Sequence, residues 1–144
     1  MQQPFQKFLK YALVWQLALA LYWLALFVTT HIPSDLAGLP WASMDKFVHV
    51  TAFALLALLL ATAWQLSAGP LGLRHLALAW ILLVVYGAID EWTQSFVRRQ
   101  ASLWDLLGDA VGALIGLVLF WCVASRMKKP AVVNNAEEKE LVQS

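Results

Sequence analysis

The chain consists of long apolar segments separated by short polar breaks. Four apolar stretches of about 15 to 21 residues alternate with breaks that contain proline, glycine, histidine or charged residues. Since about 20 apolar residues cross the hydrocarbon core of a bilayer as a helix, each stretch predicts one membrane span. The predicted fold is all-α, a polytopic membrane protein built as a bundle of four transmembrane helices, at about residues 11–30, 44–66, 73–96 and 104–125.

The third apolar stretch is shorter than a normal span. Only about 15 residues separate Arg74 from Asp90, which is roughly 22 Å of helix at 1.5 Å per residue. The helix must therefore continue past Asp90. A span of ordinary length then brings Asp90 and Glu91 to the hydrocarbon boundary opposite Arg74.

Composition supports the membrane class and limits the number of domains. The 144 residues are 61% hydrophobic and 13% charged, with a mean hydropathy of +0.67. We expect one domain over residues 1–125, and a polar tail without aromatics over 126–144 that is disordered and cytoplasmic. The net charge of +1 favours no nucleic-acid partner, and the single cysteine, Cys122, excludes an intramolecular disulfide.

The basic residues predict the orientation. One side of the membrane would hold Lys7, Lys10, Arg74, Arg126, Lys128 and Lys129, and the other Lys46, Arg98 and Arg99. Because cytoplasmic loops carry the excess of Lys and Arg, six against three predicts that both termini are cytoplasmic. The loops after spans one and three then face outward together.

Polar residues gather at the ends of the spans that meet on this outward side. They are Asp45, Lys46, His49, Asp90, Glu91, Gln94, Arg98, Arg99 and Asp105. A charged side chain deep in a bilayer costs about 2.5 to 3.5 kcal/mol, so a chain selected only to sit in lipid would avoid them. Asp45 and His49 share one helix face, and residues 90, 91, 94 and 98 lie within about 100° on theirs. We predict one site.

Span four carries small residues on the same face as two acids. Asp105, Gly108, Asp109, Gly112 and Gly116 fall within about 100° of helix. Small residues spaced by four allow close helix packing in lipid, so this face should point into the bundle. Leucine in place of Gly112 should disrupt packing, whereas Leu117, predicted to lie on another face, should tolerate alanine.

Several of these residues also have structural explanations. Ser102 and Asp105 fit a capping box at the start of span four, and Asp45 after Ser43 is similar. His31, His49 and His75 could be interfacial, and Gln16 fits a hydrogen bond between helices. Glu91 and Arg98, two turns apart, are harder to explain without a ligand.

Three classes of function are compatible with the pattern. Arg98, Arg99 and Lys46 could bind the phosphate of a lipid head group while the acids and Gln94 hold its polar groups. An enzyme could use His49 with Asp45, or Glu91, as acid and base. Transport ranks last, because no inverted repeat is visible. A metal hydrolase on Asp45, His49, Asp90, Glu91 and Asp105 lacks a metal-binding motif, so we expect neither metal nor cofactor.

The ordered polar motifs resemble those of the VanZ-like family. They are DKFVH at residues 45–49, then DEWTQSFVRRQASLWD at 90–105, then Gly112. The family comprises small bacterial membrane proteins named for a member linked to resistance to teicoplanin, a lipoglycopeptide antibiotic. The resemblance implies a multi-pass protein of the bacterial inner membrane, with envelope lipids or lipid-linked glycan precursors as partners.

By resemblance, the family's polar positions correspond to Asp45, Lys46, His49, Glu91, Gln94, Arg98 and Asp105. Many members carry Asn where this chain has Asp109, so the resemblance does not assign Asp109 to the site. It also leaves open whether the protein binds or modifies its ligand, and whether it acts as a monomer.

Overall fold

The computed structural model describes residues 3–32, 45–97 and 101–127. Side chains are described from Lys10 onward in the first helix and from Lys46 onward in the second. Its four helices are α1 (Gln3–Thr30), α2 (Asp45–Ala68), α3 (Leu73–Gln94) and α4 (Leu103–Met127). A 3-10 turn, Ser95–Val97, extends α3, and the described ranges contain no strand. All four helices are long and apolar enough to cross a membrane. The predicted all-α, multi-pass bundle is confirmed.

Local sequence explains how the helices are joined. Gly69 ends α2 with a φ of +90°, a conformation that side-chain-bearing residues rarely adopt, and Pro70 follows it. At the start of α4, the Ser102 carbonyl accepts the N–H groups of Asp105 and Leu106, and the Ser102 hydroxyl lies 3.4 Å from the Asp105 nitrogen. Ser102 therefore caps α4, which is one half of the capping box that the sequence suggests.

Helices α2 and α4 form the most extensive contact in the bundle. A Cβ atom at Gly112 would overlap the backbone carbonyl of Val50, and one at Gly116 would overlap that of Ala54. Glycine is required at both positions because the two backbones touch there. The predicted small-residue face of α4 thus packs against α2.

The prediction for Leu117 was wrong. Leu117 is buried and belongs to the apolar core with Leu83, Ala113 and Phe120. The reason is that α4 packs on α3 as well as on α2, so its buried arc spans about 140° of helix rather than the glycine face alone. A leucine on the α3 side of that arc is a core residue.

Helix α1 is the most exposed of the four along its span. Two hydrogen bonds attach it to α2: the Tyr22 hydroxyl donates to the Ala52 carbonyl at 3.0 Å, and Gln16 Nε2 donates to Ser67 Oγ at 2.8 Å. The predicted bond between helices at Gln16 is therefore confirmed. The antiparallel order brings the last turns of α1 and α3 to the same end as the first turns of α2 and α4.

Candidate polar site

Five polar side chains are buried at the end of the bundle where α2 and α4 begin and α3 finishes. We call this group the polar end: His49, Asp90, Glu91, Gln94 and Asp109. His49 lies in the second turn of α2, and three of the others follow one face of α3. The predicted inward faces of these helices are confirmed, because each of these side chains points into the bundle.

A histidine–aspartate pair joins α2 to α4 at the polar end. His49 Nδ1 lies 2.8 Å from Asp109 Oδ1, and Asp109 is 1% exposed. Two glycines make the space: a Cβ atom at Gly87 would lie 3.0 Å from Asp109 Oδ2, and one at Gly108 would lie 3.3 Å from the Cβ of His49. The missing side chains of Gly87 and Gly108 thus let the pair fit between three helices.

Glu91 of α3 completes a trio with this pair. One ligand atom from each of Glu91, His49 and Asp109 lies within 4.8 Å of the others. Glu91 Oε2 also accepts the backbone N–H of Ser102 at 2.8 Å, which holds the carboxylate against the start of α4. Three helices therefore deliver three functional groups to one point.

Asp90 is the centre of a second hydrogen-bonded group between α1 and α3. Its Oδ2 accepts from Gln94 Nε2 at 2.8 Å, and its Oδ1 accepts from the Thr30 hydroxyl at 3.1 Å. His31 lies beside it, with Nδ1 3.8 Å from Asp90 Oδ1 and Nε2 3.0 Å from the Thr93 hydroxyl. The last turn of α1 thus closes the polar end on this side.

The family can now be decided. The model of the VanZ/LLP1 family matches residues 2–124, which include all four helices almost to the end of α4. This chain belongs to the VanZ/LLP1 family. No curated protein and no solved structure matches it in our comparisons.

Two of the predicted site residues of this VanZ/LLP1 protein lie at the rim instead of inside the bundle. Lys46 is exposed, with Nζ 5.3 Å from the centre of the Trp104 ring, a cation–π contact that keeps the ammonium at the surface. Asp105 is partly buried in the first turn of α4, beside the Ser102 cap. Both therefore lie outside the buried group of the polar end.

Three further predicted positions cannot be placed. Arg98 and Arg99 lie outside the residues that the structure describes, and so does the side chain of Asp45, the first residue of α2. The roles predicted for these three side chains stay predictions.

Asp109, Thr30 and His31 were not assigned to the site from sequence, although each of them contacts a residue of the polar end. The sequence placed Asp109 on the inward face of α4 but left its role open. Asp109 gave a usable signal, because it lies on the same face of α4 as Gly112 and Gly116. Thr30 and His31 gave no such signal, because polar residues at the end of an apolar span are common at a membrane interface. Their role depends on how α1 packs on α3.

The trio has the parts that proton-transfer chemistry uses. An imidazole that a neighbouring carboxylate holds in one orientation is the arrangement that general acid–base catalysis uses. Glu91 supplies a second carboxylate on the other side of the same point. The arrangement can therefore bind a polar group, move a proton or hold a cation.

Proposed function

We propose that the polar end of this VanZ/LLP1 protein binds the polar head group of an envelope lipid or of a lipid-linked glycan precursor. The observation that supports this is the burial of His49, Asp109 and the three polar residues of α3 at one end of an otherwise apolar bundle. Buried ionisable groups inside a membrane protein are costly and usually serve function. A head group would add hydrogen bonds to those that these side chains already make with one another.

The surroundings of the polar end suit a lipid better than a soluble ligand. Apolar side chains such as Val48, Trp92 and Leu107 are exposed on the same end of the bundle, where acyl chains would lie beside them. The carboxylates accept hydrogen bonds from sugar hydroxyls or ammonium groups, while Lys46, and Arg98 in the segment after α3, would meet phosphate. Lower susceptibility to teicoplanin-type glycopeptides would follow if the bound precursor were their target.

Acid–base catalysis on that head group is the second candidate. The 2.8 Å contact between His49 and Asp109, with Glu91 beside it, favours this reading, because a binding site needs no such oriented imidazole. The protein would then be a hydrolase or transferase. Head-group binding is common to both candidates.

Lipids that co-purify with the protein in mild detergent test the proposal. Mass spectrometry should find one class of lipid enriched on the parent protein and lost from Arg98→Ala. Arg98→Lys should also lose most of it, because lysine lacks the planar fork that binds phosphate by two parallel hydrogen bonds. Exposed Arg74 at the other end of the bundle gives the matched control, Arg74→Lys.

Glu91→Gln separates binding from catalysis. Glutamine keeps the shape and most hydrogen bonding of Glu91 but removes its charge and proton transfer. Retained lipid with lost turnover, or with a lost resistance phenotype, would support an enzyme. If Glu91→Gln, Arg98→Ala and Arg98→Lys all matched the parent in lipid content and glycopeptide susceptibility, the proposal would be wrong.

We further propose that the polar end faces outward, with both termini in the cytoplasm of a bacterial inner membrane. A reporter fused after Ser144 should be cytoplasmic. In a Cys122→Ser background, single cysteines at positions 38 and 100 should both react with an impermeant maleimide added to intact cells. Labelling of only one of them would place the two loops on different sides of the membrane.

A further inference from the structure

The trio of Glu91, His49 and Asp109 has the geometry of a metal site. We propose that these three residues bind one divalent transition-metal ion, of the class of Zn²⁺ or Mn²⁺. Their three ligand atoms lie within 4.8 Å of one another, and all three residues are buried. Ligands of one ion at about 2.0 to 2.2 Å lie about 3.3 to 3.6 Å apart in a tetrahedral site, so binding draws the three groups together by up to about 1.5 Å.

The charge of the trio favours a cation. Two carboxylates and one imidazole meet at a point where little water can screen them. Among Lys and Arg whose side chains the structure describes, only Lys46 lies at this end of the bundle, and its ammonium is outside, over Trp104. A divalent ion would offset both negative charges directly.

The surroundings hold the proposed ligands as metal sites require. Ligand carboxylates in such sites are themselves hydrogen-bonded, which fixes their direction. Glu91 Oε2 accepts the Ser102 N–H, and Asp109 is confined by the space that Gly87 leaves. The backbone contacts at Gly112 and Gly116 set the register of α2 against α4, and with it the distance between His49 and Asp109.

The donor set indicates the class of ion. Mg²⁺ and Ca²⁺ prefer six or more oxygen ligands, whereas one imidazole with two carboxylates suits Zn²⁺, Mn²⁺, Fe²⁺ or Co²⁺. Three protein ligands leave a coordination position open, as in zinc sites that bind water or substrate. The expectation of no metal rested on the absence of a sequence motif, and the three residues of this set lie on three separate helices.

Metal binding can be measured without any lipid, so this inference does not rest on the head-group proposal. The full chain, purified in detergent with a tag that contains no histidine, would be stripped with EDTA and dialysed. Titration with Zn²⁺ and with Co²⁺ should then give one ion per chain, with Mg²⁺ unable to compete at equal concentration. The parent protein isolated without chelator should carry the same stoichiometry by elemental analysis.

Ligand variants should weaken Zn²⁺ binding selectively. Loss of a residue that only orients a ligand already weakens metal sites about 10- to 100-fold, so His49→Gln, Glu91→Gln and Asp109→Asn should each weaken binding about 100-fold or more. The matched control is His75→Gln, at the other end of α3. This control should stay within about threefold of the parent.

Asp109→Cys in the Cys122→Ser background gives a direct readout that a misfolded variant cannot imitate. Cysteine is close to aspartate in size, and its thiolate binds Co²⁺ and Zn²⁺. Co²⁺ bound there should show cobalt–thiolate charge-transfer absorption. Zn²⁺ should abolish this absorption, and Val111→Cys, at an exposed position of α4, should lack it. No stoichiometric ion in the parent, or equal affinity in ligand variants and controls, would overturn the metal site and leave the head-group proposal standing.

Discussion

The two ends of the bundle place their polar groups in opposite ways. At the polar end, His49, Asp109 and the polar residues of α3 point inward and are buried. At the opposite end, Leu71, Leu76 and Ala124 fill the interior, while Arg74 and His75 are exposed. The interior of the bundle is therefore apolar at one end and contains ionisable groups at the other.

This difference distinguishes the buried side chains that folding requires from those that a binding site would require. The opposite end shows that these helices pack with apolar side chains inside and charges at the surface, where a membrane interface would solvate them. The polar end departs from that arrangement at a cost, since buried ionisable groups must be desolvated. This cost is the reason why we propose a ligand for the polar end.

The largest effect is expected at the contact that aligns α2 with α4. In Gly112→Leu the new side chain meets the Val50 carbonyl, which belongs to helical backbone and cannot move aside. We expect a loss of more than about 4 kcal/mol or no folded protein, measured by thermal unfolding in detergent. Val111→Leu, the neighbouring exposed position, is the control and should change stability by less than about 0.5 kcal/mol. If Gly112→Leu were as stable as Val111→Leu, α2 and α4 would not touch at Gly112.

The second prediction tests whether the polar end is needed for stability. Asp109→Leu leaves His49 without that carboxylate and should cost about 3 kcal/mol. Replacing both residues by leucine should recover most of that loss, because well-packed apolar pairs often match buried ion pairs in stability. Chemical unfolding in detergent measures the stability of the single and the double variant. The double variant should bind neither ligand nor metal. A double variant as unstable as the single one would make the polar end structural.

A smaller effect is expected at the turn of the opposite end. Gly69→Ala should cost about 1 kcal/mol, because the φ of +90° is unfavourable for alanine, although no atom lies within 4 Å of the new Cβ. Gly72→Ala is the matched control, since Gly72 has a φ of −100° and its nearest neighbour would be 3.8 Å away. Metal and lipid content should stay at the parent level in both. A change in either would show that the two ends are coupled.

The smallest effect is expected where polar groups meet at the surface. Gln16→Leu removes the bond to Ser67 and should cost about 0.6 kcal/mol, a typical value for a hydrogen bond between membrane helices. Gln94→Leu removes a bond to buried Asp90 and should cost more. The unfolding free energies of the two variants give the comparison directly. A larger loss at Gln16 would reverse the contrast between the ends.

The sequence predicted the helices and their inward faces because both depend on local pattern. Apolar length placed the four spans, and a turn of about 100° per residue put Asp90, Glu91 and Gln94 on one face. The glycines at 112 and 116 identified the face of α4 that packs closely.

The partners of those faces could not be predicted in the same way. That His49 meets Asp109, and that Leu117 is in the core, depends on which helices α4 contacts and in which register. His49 and Asp109 are 60 positions apart on two separate helices, and such helices can align in many registers with the same periodicity. The contact of Thr30 with Asp90 likewise depends on the tilt of α1.

The attachments around the polar end differ in stiffness. On one side, α2 and α4 meet backbone to backbone at Gly112 and Gly116, and they cannot slide without a collision. On the other side, the Thr30 hydroxyl and the His31 imidazole connect α1 to α3 through hydrogen bonds between side chains. Such side-chain hydrogen bonds can break and re-form without disturbing the core, so we expect a molecule moving sideways within the bilayer to enter more easily between α1 and α3 than between α2 and α4.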